Sequence, residues 1–307
     1  MDSYIPDGVW PTMVTPFTDS GEVDFSALGE MIEWYREKGV DGLFAVCKSS
    51  EMFKLSREER AELASFVREE ADEEISVIAS GHVAEDFADQ VEELEGMAAT
   101  GVDGLVLVSN RLAAQNESDQ VWKRNAERIF RKIPEIPLGI YECPFPYRRL
   151  VSPQLLSWCA STERFFFLKD TSCDPDQLRA KARAVAGSDL KIFNANGATL
   201  LDSLEAGIAG YSGIMGNCHP ELYSWLVDNF DGGKTSQIRK IQNFLGPASA
   251  VIRHLYPLSA KYYLQLEGLN VALNSRVRDS ADFKASFKLE IEQLRALSNS
   301  YVSRFCN

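Results

Sequence analysis

The chain has 307 residues, 45% of them hydrophobic, enough to bury a full core as one large α/β domain or two smaller ones, which excludes a disordered tail or a small stapled scaffold. With 45 acidic against 32 basic residues the formal charge is -13 at pH 7, which argues against a general nucleic-acid or anionic-membrane surface and leaves only local basic pockets for small anions. Six scattered cysteines with no CxxC pair, and only three histidines (His82, His219 and His254), argue against a metal centre, so any chemistry falls to Lys, Tyr, Ser/Thr and carboxylates.

The opening stretch, MDSYIPDGVWPTMVTPF, has no basic region followed by an apolar core, and no apolar run approaches the length of a membrane span. A soluble, cytoplasmic protein with reduced thiols is expected. Short runs rich in β-branched and aromatic residues then recur and predict strands: 8–15 GVWPTMVT, 42–47 GLFAVC, 75–80 ISVIAS, 104–109 GLVLVS, 136–142 IPLGIYE, 164–170 RFFFLKD, 191–196 KIFNAN and 210–215 GYSGIM. Between them lie segments of helical period with polar starts, such as 24–38 DFSALGEMIEWYREK and 56–71 SREERAELASFVREEA. The joint from helix to strand repeats, as GVDGLFAV at 39–46, GVDGLVLV at 101–108 and, more loosely, GIAGYSGI at 207–214, each opening on a glycine suited to a left-handed helix stop.

Eight strand–helix units within about 230 residues predict an α/β fold, a (β/α)8 TIM barrel, because parallel strands need such crossovers. An open doubly wound sheet is the alternative, but no GxGxxG follows an early strand. From residue 234 the strands stop, and KTSQIRKIQNFLGPASAVIR, LSAKYYLQLEGLNVAL and SADFKASFKLEIEQLRALSNSYVSRF predict helices. The expected division is a barrel over 1–233 and a C-terminal helical extension over 234–307, packed on the barrel or on another subunit.

Active groups in such a barrel come from the C-terminal ends of strands and the loops that follow. In FFFLKDTS, Lys169 ends the sixth strand after four bulky apolar residues, and in LGIYECP, Tyr141 ends the fifth, so the two could meet over the barrel mouth. Apolar walls from Phe165, Phe167 or their neighbours would disfavour the ammonium and lower the lysine pKa, as an amine nucleophile requires. Taken singly, a strand-end lysine is more often a solvated cation and a strand-end tyrosine a packing residue.

These residues carry a family resemblance. VTPF at 14–17, GLFAVCKSSEMFKLSREER at 42–60, YECP at 141–144, LKDTS at 168–172 and GYSGIMGN at 210–217 resemble, in order and spacing, the motifs of the dihydrodipicolinate synthase/N-acetylneuraminate lyase family of class I, Schiff-base aldolases. The resemblance implies that Lys169 forms an imine with pyruvate or a related 2-oxo acid, that Tyr141 relays a proton, and that Ser49 and Ser50 offer a hydroxyl and backbone N–H groups to the substrate carboxylate. Thr171 and Gly213, within two of the matching motifs, are further substrate-contact positions, with Lys48. No metal or cofactor is implied, since the imine itself is the electron sink. The resemblance further implies an aldehyde as second partner and a homo-oligomer, dimer or tetramer.

The match departs at several places. In CKSSE the family's leading Gly and first Thr are replaced by Cys47 and Lys48; the lysine either turns outward or pairs with Glu51, or else binds an acidic substrate tail. The loop VSNRLAAQNESD after the fourth strand lacks the tyrosine pair of the family's synthases, leaving Asn110 or Arg111 in that region. The synthases' mouth arginine falls at Pro146, with Arg148 and Arg149 slightly later, and NANGAT offers only Asn194 and Asn196 where sialic-acid lyases carry acids. A lyase, aldolase or dehydratase on another 2-oxo acid is therefore expected. Alternatives are dihydrodipicolinate synthase proper, a catalytically silent barrel retained for binding, and a metal-assisted aldolase.

Overall fold

The computed structural model describes residues 5–73, 75–233 and 235–306. All eight expected strands form, each shorter than its apolar run: β1 (Gly8–Val9), β2 (Gly42–Phe44), β3 (Ser76–Ala79), β4 (Gly104–Val108), β5 (Leu138–Tyr141), β6 (Phe165–Asp170), β7 (Lys191–Asn194) and β8 (Gly210–Tyr211). The run at 8–15 shrinks most because Pro11 has no N–H to donate to a ladder. Every adjacent pair is parallel, in the order β1-β8-β7-β6-β5-β4-β3-β2. A parallel bridge between Thr12 and Phe44, with Phe44 N–H donating to the Pro11 carbonyl at 3.0 Å, closes β1 onto β2. The expected barrel is the observed fold.

The helices are α1 (Phe25–Glu37), α2 (Arg57–Glu70), α3 (Phe87–Ala98), the short α4 (Ser109–Leu112), α5 (Asp119–Phe130), α6 (Pro153–Ser161), α7 (Pro175–Val185), α8 (Leu200–Glu205) and α9 (Pro220–Asn229), followed by α10 (Thr235–Arg253), α11 (Leu258–Leu266) and α12 (Ala285–Phe305). Local sequence sets their ends. Asp24 caps α1 by accepting the Ala27 N–H, and Ser56 with Glu59 forms a reciprocal capping box on α2. Gly39, Gly101 and Gly207, the repeated joint glycines, all take a left-handed φ (68°, 81° and 89°), ending a helix so that the next strand can begin. The helix expected over LSAKYYLQLEGLNVAL stops early, at Leu266, because Gly268 turns left-handed at φ 100°.

Inside the barrel, Trp10, Phe44, Phe167 and Phe193 interlock as an aromatic floor, with ring centroids 5.6 Å apart for Trp10 and Phe167 and 4.6 Å for the stacked Phe167 and Phe193. Gly42 makes room for this floor, since a Cβ there would enter the Trp10 ring. The floor seals the lower barrel and leaves the strand C-termini as the open end. Helices α10 to α12 lie against that end and against α9, with His219 and Ser298 hydrogen-bonded at 3.0 Å between the two regions.

Candidate active site

Tyr141 and Lys169 are register partners at the ends of β5 and β6, so the sheet itself brings them together. The Lys169 ammonium lies 5.0 Å from the Tyr141 ring centroid and 5.8 Å from that of Phe44, and the residue is 4% exposed. Burial lowers its pKa to about 8, and the Lys48 ammonium pushes in the same direction against the nearby thiols Cys47 and Cys143. One expected wall is absent. The β5–β6 register shifts between Leu138 and Gly139, so Phe165 turns outward onto Trp122 and Phe130, while Phe167 stays in the floor beneath Lys169. The apolar surroundings therefore come from Phe44, Tyr141 and Phe167.

A buried charge cluster fixes these strand ends. Lys181 of α7 places its ammonium 2.5 Å from both Glu142 and Asp170, the residues immediately after Tyr141 and Lys169, and all three side chains have no solvent exposure. Glu142 also accepts the backbone N–H groups of Val151 and Thr171 at 2.7 and 2.9 Å, and Asp170 accepts from Ser172. Two carboxylates face one ammonium. Burial pushes Glu142 upward, against Lys181 and with Asp170, while for Lys181 the two carboxylates outweigh burial and raise its pKa. The sequence signal was present but unread: Leu178, Lys181 and Val185 share the core-facing stripe of α7.

The loop after β2 divides the two expected serines. The Ser50 hydroxyl accepts the Cys47 N–H at 2.6 Å and donates to the Cys47 carbonyl at 2.9 Å, so it holds the loop and is not presented to the cavity. Ser49 does face the cavity, and its hydroxyl donates to Thr12 at 3.1 Å. The expected Lys48–Glu51 pair does not form. Glu51 is buried and engaged by Lys261 at 3.2 Å, Ser275 at 3.0 Å and the Arg276 N–H at 2.6 Å, leaving Lys48 exposed at the cavity.

Sequence reasoning missed Tyr256, between α10 and α11. Its hydroxyl accepts from Asn217 at 3.5 Å, Asn217 in turn accepts from Tyr35 at 2.6 Å, and the neighbouring Ser49 side chain lowers the Tyr256 pKa against burial. Burial raises the pKa of both Tyr256 and Tyr141 well above the ordinary phenol value. A second tyrosine thus lines the cavity with Tyr141, supplied by the C-terminal region.

Lys169, Tyr141, Ser49, Lys48, Thr171, Gly213 and Tyr256 all line one cavity of about 680 Å³. The Thr171 hydroxyl donates to the Glu142 carbonyl at 2.7 Å, and Gly213 leaves no room for a Cβ beside the Tyr211 hydroxyl. Arg148 lines the cavity, whereas Arg149 turns away to the Ala114 and Glu117 carbonyls and to Asp119. Asn110 donates to the carbonyls of Cys143, Phe145 and Tyr147, stitching the loop after β4 to that after β5, and Arg111 lies over Phe53. Asn196 reaches the cavity, but Asn194 bonds Thr199 and Ser203 within its own turn.

A model of the Dihydrodipicolinate synthetase family matches residues 6–279. Among curated relatives, the 4-hydroxy-tetrahydrodipicolinate synthase of Prochlorococcus marinus (strain NATL2A) is 27% identical over 280 residues, covering 87% of this chain and 90% of that protein. Among solved structures, a dihydrodipicolinate synthase of Bacillus anthracis superposes with a TM-score of 0.85 at 18% identity, over 94% of this chain and 97% of the other. A prophage protein of the dihydrodipicolinic acid synthase family from E. coli K12, solved in complex with pyruvate, gives a TM-score of 0.84 at 21% identity, over 96% and 98%.

Proposed function

We propose a function from one premise: the chain belongs to the dihydrodipicolinate synthetase family. It is a lyase of the Schiff-base-forming aldolase type. In our reading the neutral Lys169 amine attacks the C2 carbonyl of pyruvate or a related 2-oxo acid, and loss of water from the resulting carbinolamine gives the imine. The protonated imine withdraws electrons from C3. Departure of a C3 proton, or of an aldehyde from C3 in the cleavage direction, then leaves an enamine; addition of the enamine to an aldehyde makes the C–C bond, and in a dehydration the enamine formed by loss of the C3 proton expels the C4 hydroxyl as water.

The substrate carboxylate is assigned to the Ser49 hydroxyl and to backbone N–H groups of Ser49 and Ser50, with Thr171 and Gly213 shaping the pocket and Lys48 near the carboxylate's outer side. Tyr141 moves the proton to and from the reacting oxygen. Ser49 and Tyr256 extend that path, which compensates for the tyrosine pair missing after β4. One observation carries the reading: a lysine with its pKa lowered to about 8 opens into the same cavity as Tyr141 and a hydroxyl-lined loop. A second reading, dihydrodipicolinate synthase proper, is favoured by the name of the Prochlorococcus relative.

Borohydride trapping with pyruvate followed by intact mass tests the imine. Wild type should gain one reduced adduct and Lys169→Ala none; equal labelling of both would overturn the assignment. Four of the six free cysteines are buried thiols, which supports a reducing, cytoplasmic setting. Leu289 and Leu297, each 55% exposed on α12, support self-association as a dimer or tetramer, which light scattering measures.

A further inference from the structure

Three charges are sealed beside the reacting pair and take no part in the chemistry described so far. Among the described residues Lys181 is the one cation that holds two carboxylates with no exposure on any of the three side chains. Such a cluster is a weak source of stability. Stripping water from buried ions is costly, well-packed apolar side chains of the same volume do as well or better, and here one ammonium has to serve two acids. What the cluster can supply is geometry. Glu142 and Asp170 directly follow Tyr141 and Lys169, and side chains alternate across a strand, so Tyr141 and Lys169 reach the cavity while the two acids turn back toward α7, where Lys181 joins them at 2.5 Å.

The β5–β6 seam is weakly specified where the two catalytic side chains meet. Its register shifts between Leu138 and Gly139, so only Gly139–Phe167, Ile140–Leu168 and Tyr141–Lys169 pair after the shift, and the first of these has no side chain on β5 to key it. The next ladder bond is long: the Glu142 N–H reaches the Lys169 carbonyl at 3.4 Å, whereas on the other side of β6 the Ala195 N–H reaches the Asp170 carbonyl at 3.0 Å. Glu142 and Thr171 span the weak place, the carboxylate accepting the Thr171 N–H at 2.9 Å and the Thr171 hydroxyl donating to the Glu142 carbonyl at 2.7 Å. A slip of one residue would turn Tyr141 out of the barrel, and a smaller shear would part its phenol from the carbon chain carried by Lys169.

We propose that Lys181 is a positioning residue for catalysis: by drawing Glu142 and Asp170 together it clips β5 to β6 one residue beyond the site and holds Tyr141 in line with the imine on Lys169. This rests on the imine assignment to Lys169. The role is geometric, so its loss falls on the step that needs both side chains more than on the step that needs the lysine alone.

The test compares two rates on the same preparation: borohydride trapping of pyruvate, which reads Lys169, and deuterium incorporation at C3 of pyruvate, which reads Lys169 together with Tyr141. Their ratio does not depend on the folded fraction, because unfolding lowers both alike. Lys181→Met should lower the ratio of exchange to trapping roughly 100-fold, the scale of a misplacement of about 1 Å. Asp170→Asn is the second variant. It cuts the β6 arm of the clip with a side chain of the same shape, keeps an oxygen to accept from Ser172, and leaves Lys181 and Glu142 as a matched pair. There the ratio should fall about tenfold. A ratio equal to wild type in Asp170→Asn would overturn the proposal whether or not Lys181→Met folds. So would exchange and trapping that fall in proportion in Lys181→Met, the outcome expected of a cluster that only stabilises the fold or only adjusts the charge on Lys169. Wild type that gains no adduct would overturn the imine assignment and this proposal with it.

Discussion

Replacing Lys169 by Met should make the protein more stable at neutral pH while abolishing imine formation. The amine's pKa is lowered from 10.5 to about 8 by burial. At pH 7 that leaves about one amine in ten unprotonated, against about one in 3,000 for a solvated lysine, a gain of about 300-fold in nucleophile. The same shift is a stability penalty. The folded pKa lies below the unfolded one, so between about pH 8 and 10.5 the unfolded chain holds the extra proton, stability rises with pH across that window, and the penalty is full below it. Its size is about 3 kcal/mol. Methionine fills similar volume without charge and forfeits the ammonium's contact with the Tyr141 ring, worth about 1 kcal/mol. A net gain of about 2 kcal/mol corresponds to a melting temperature raised by roughly 4 °C. Thermal melts of wild type and variant from pH 6 to pH 10.5 measure it, alongside the rate of pyruvate trapping by wild type, which should level off above about pH 8. A variant that melts at or below wild type at pH 7, together with trapping that keeps climbing to pH 10, would refute the claim that burial tunes this lysine.

Tyr256→Phe should slow deuterium incorporation at C3 of pyruvate about 100-fold, more than it slows trapping, because the enamine step needs the proton path and carbinolamine formation needs it less; proton NMR in D2O follows the exchange, and equal effects on both would remove Tyr256 from the path. Lys181→Met leaves Glu142 and Asp170 buried without their cation and should cost about 3–5 kcal/mol in denaturant unfolding at pH 7. That deficit should narrow on acidification, since Glu142, whose pKa burial raises, is penalised least when protonated. Gly210→Ala should cost about 3 kcal/mol or lose soluble protein outright, because a Cβ there is driven into the Gly8 carbonyl across the β1–β8 seam; wild-type expression and melting would show that the seam tolerates it.

What was legible in the sequence was what a single strand or helix encodes. The alternation of apolar runs and amphipathic segments fixed the barrel, and the joint glycines gave its helix stops. Lys169 and Tyr141 were legible because strand-end position and residue type coincide. The orientation of Phe165 was not, since the register shift at Leu138/Gly139 arises between two strands and leaves no mark in either. The part the Ser50 hydroxyl plays in its own loop was not legible either: a hydroxyl that staples its loop reads the same as one that faces the cavity. Lys48 was left without Glu51 because that carboxylate is drawn away by Lys261, far along the chain. Tyr256 lay outside every barrel strand, so no positional rule pointed to it.

The contrast between two lysines shows what makes the site chemically distinct. Burial lowers Lys261 to about 8, as it does Lys169, so a depressed pKa does not by itself mark a nucleophile. Lys261 has no solvent exposure and donates to Glu51 and to the Asn274 carbonyl, so its ammonium has partners and its nitrogen has no access to a carbonyl compound. Lys169 has aromatic faces around it, no ion pair among the described residues, and an open cavity in front. The first arrangement spends its cation on holding the loop after β2 against α11 and the segment that carries Ser275 and Arg276. That anchoring sets Tyr256 beside Ser49 and brings Arg253 and Arg278 to the cavity rim. Helix α10 and the segments around Tyr256 and Arg278 are therefore a wall of the Lys169 cavity, and loosening the Glu51–Lys261 contact would reach that cavity without touching Lys169.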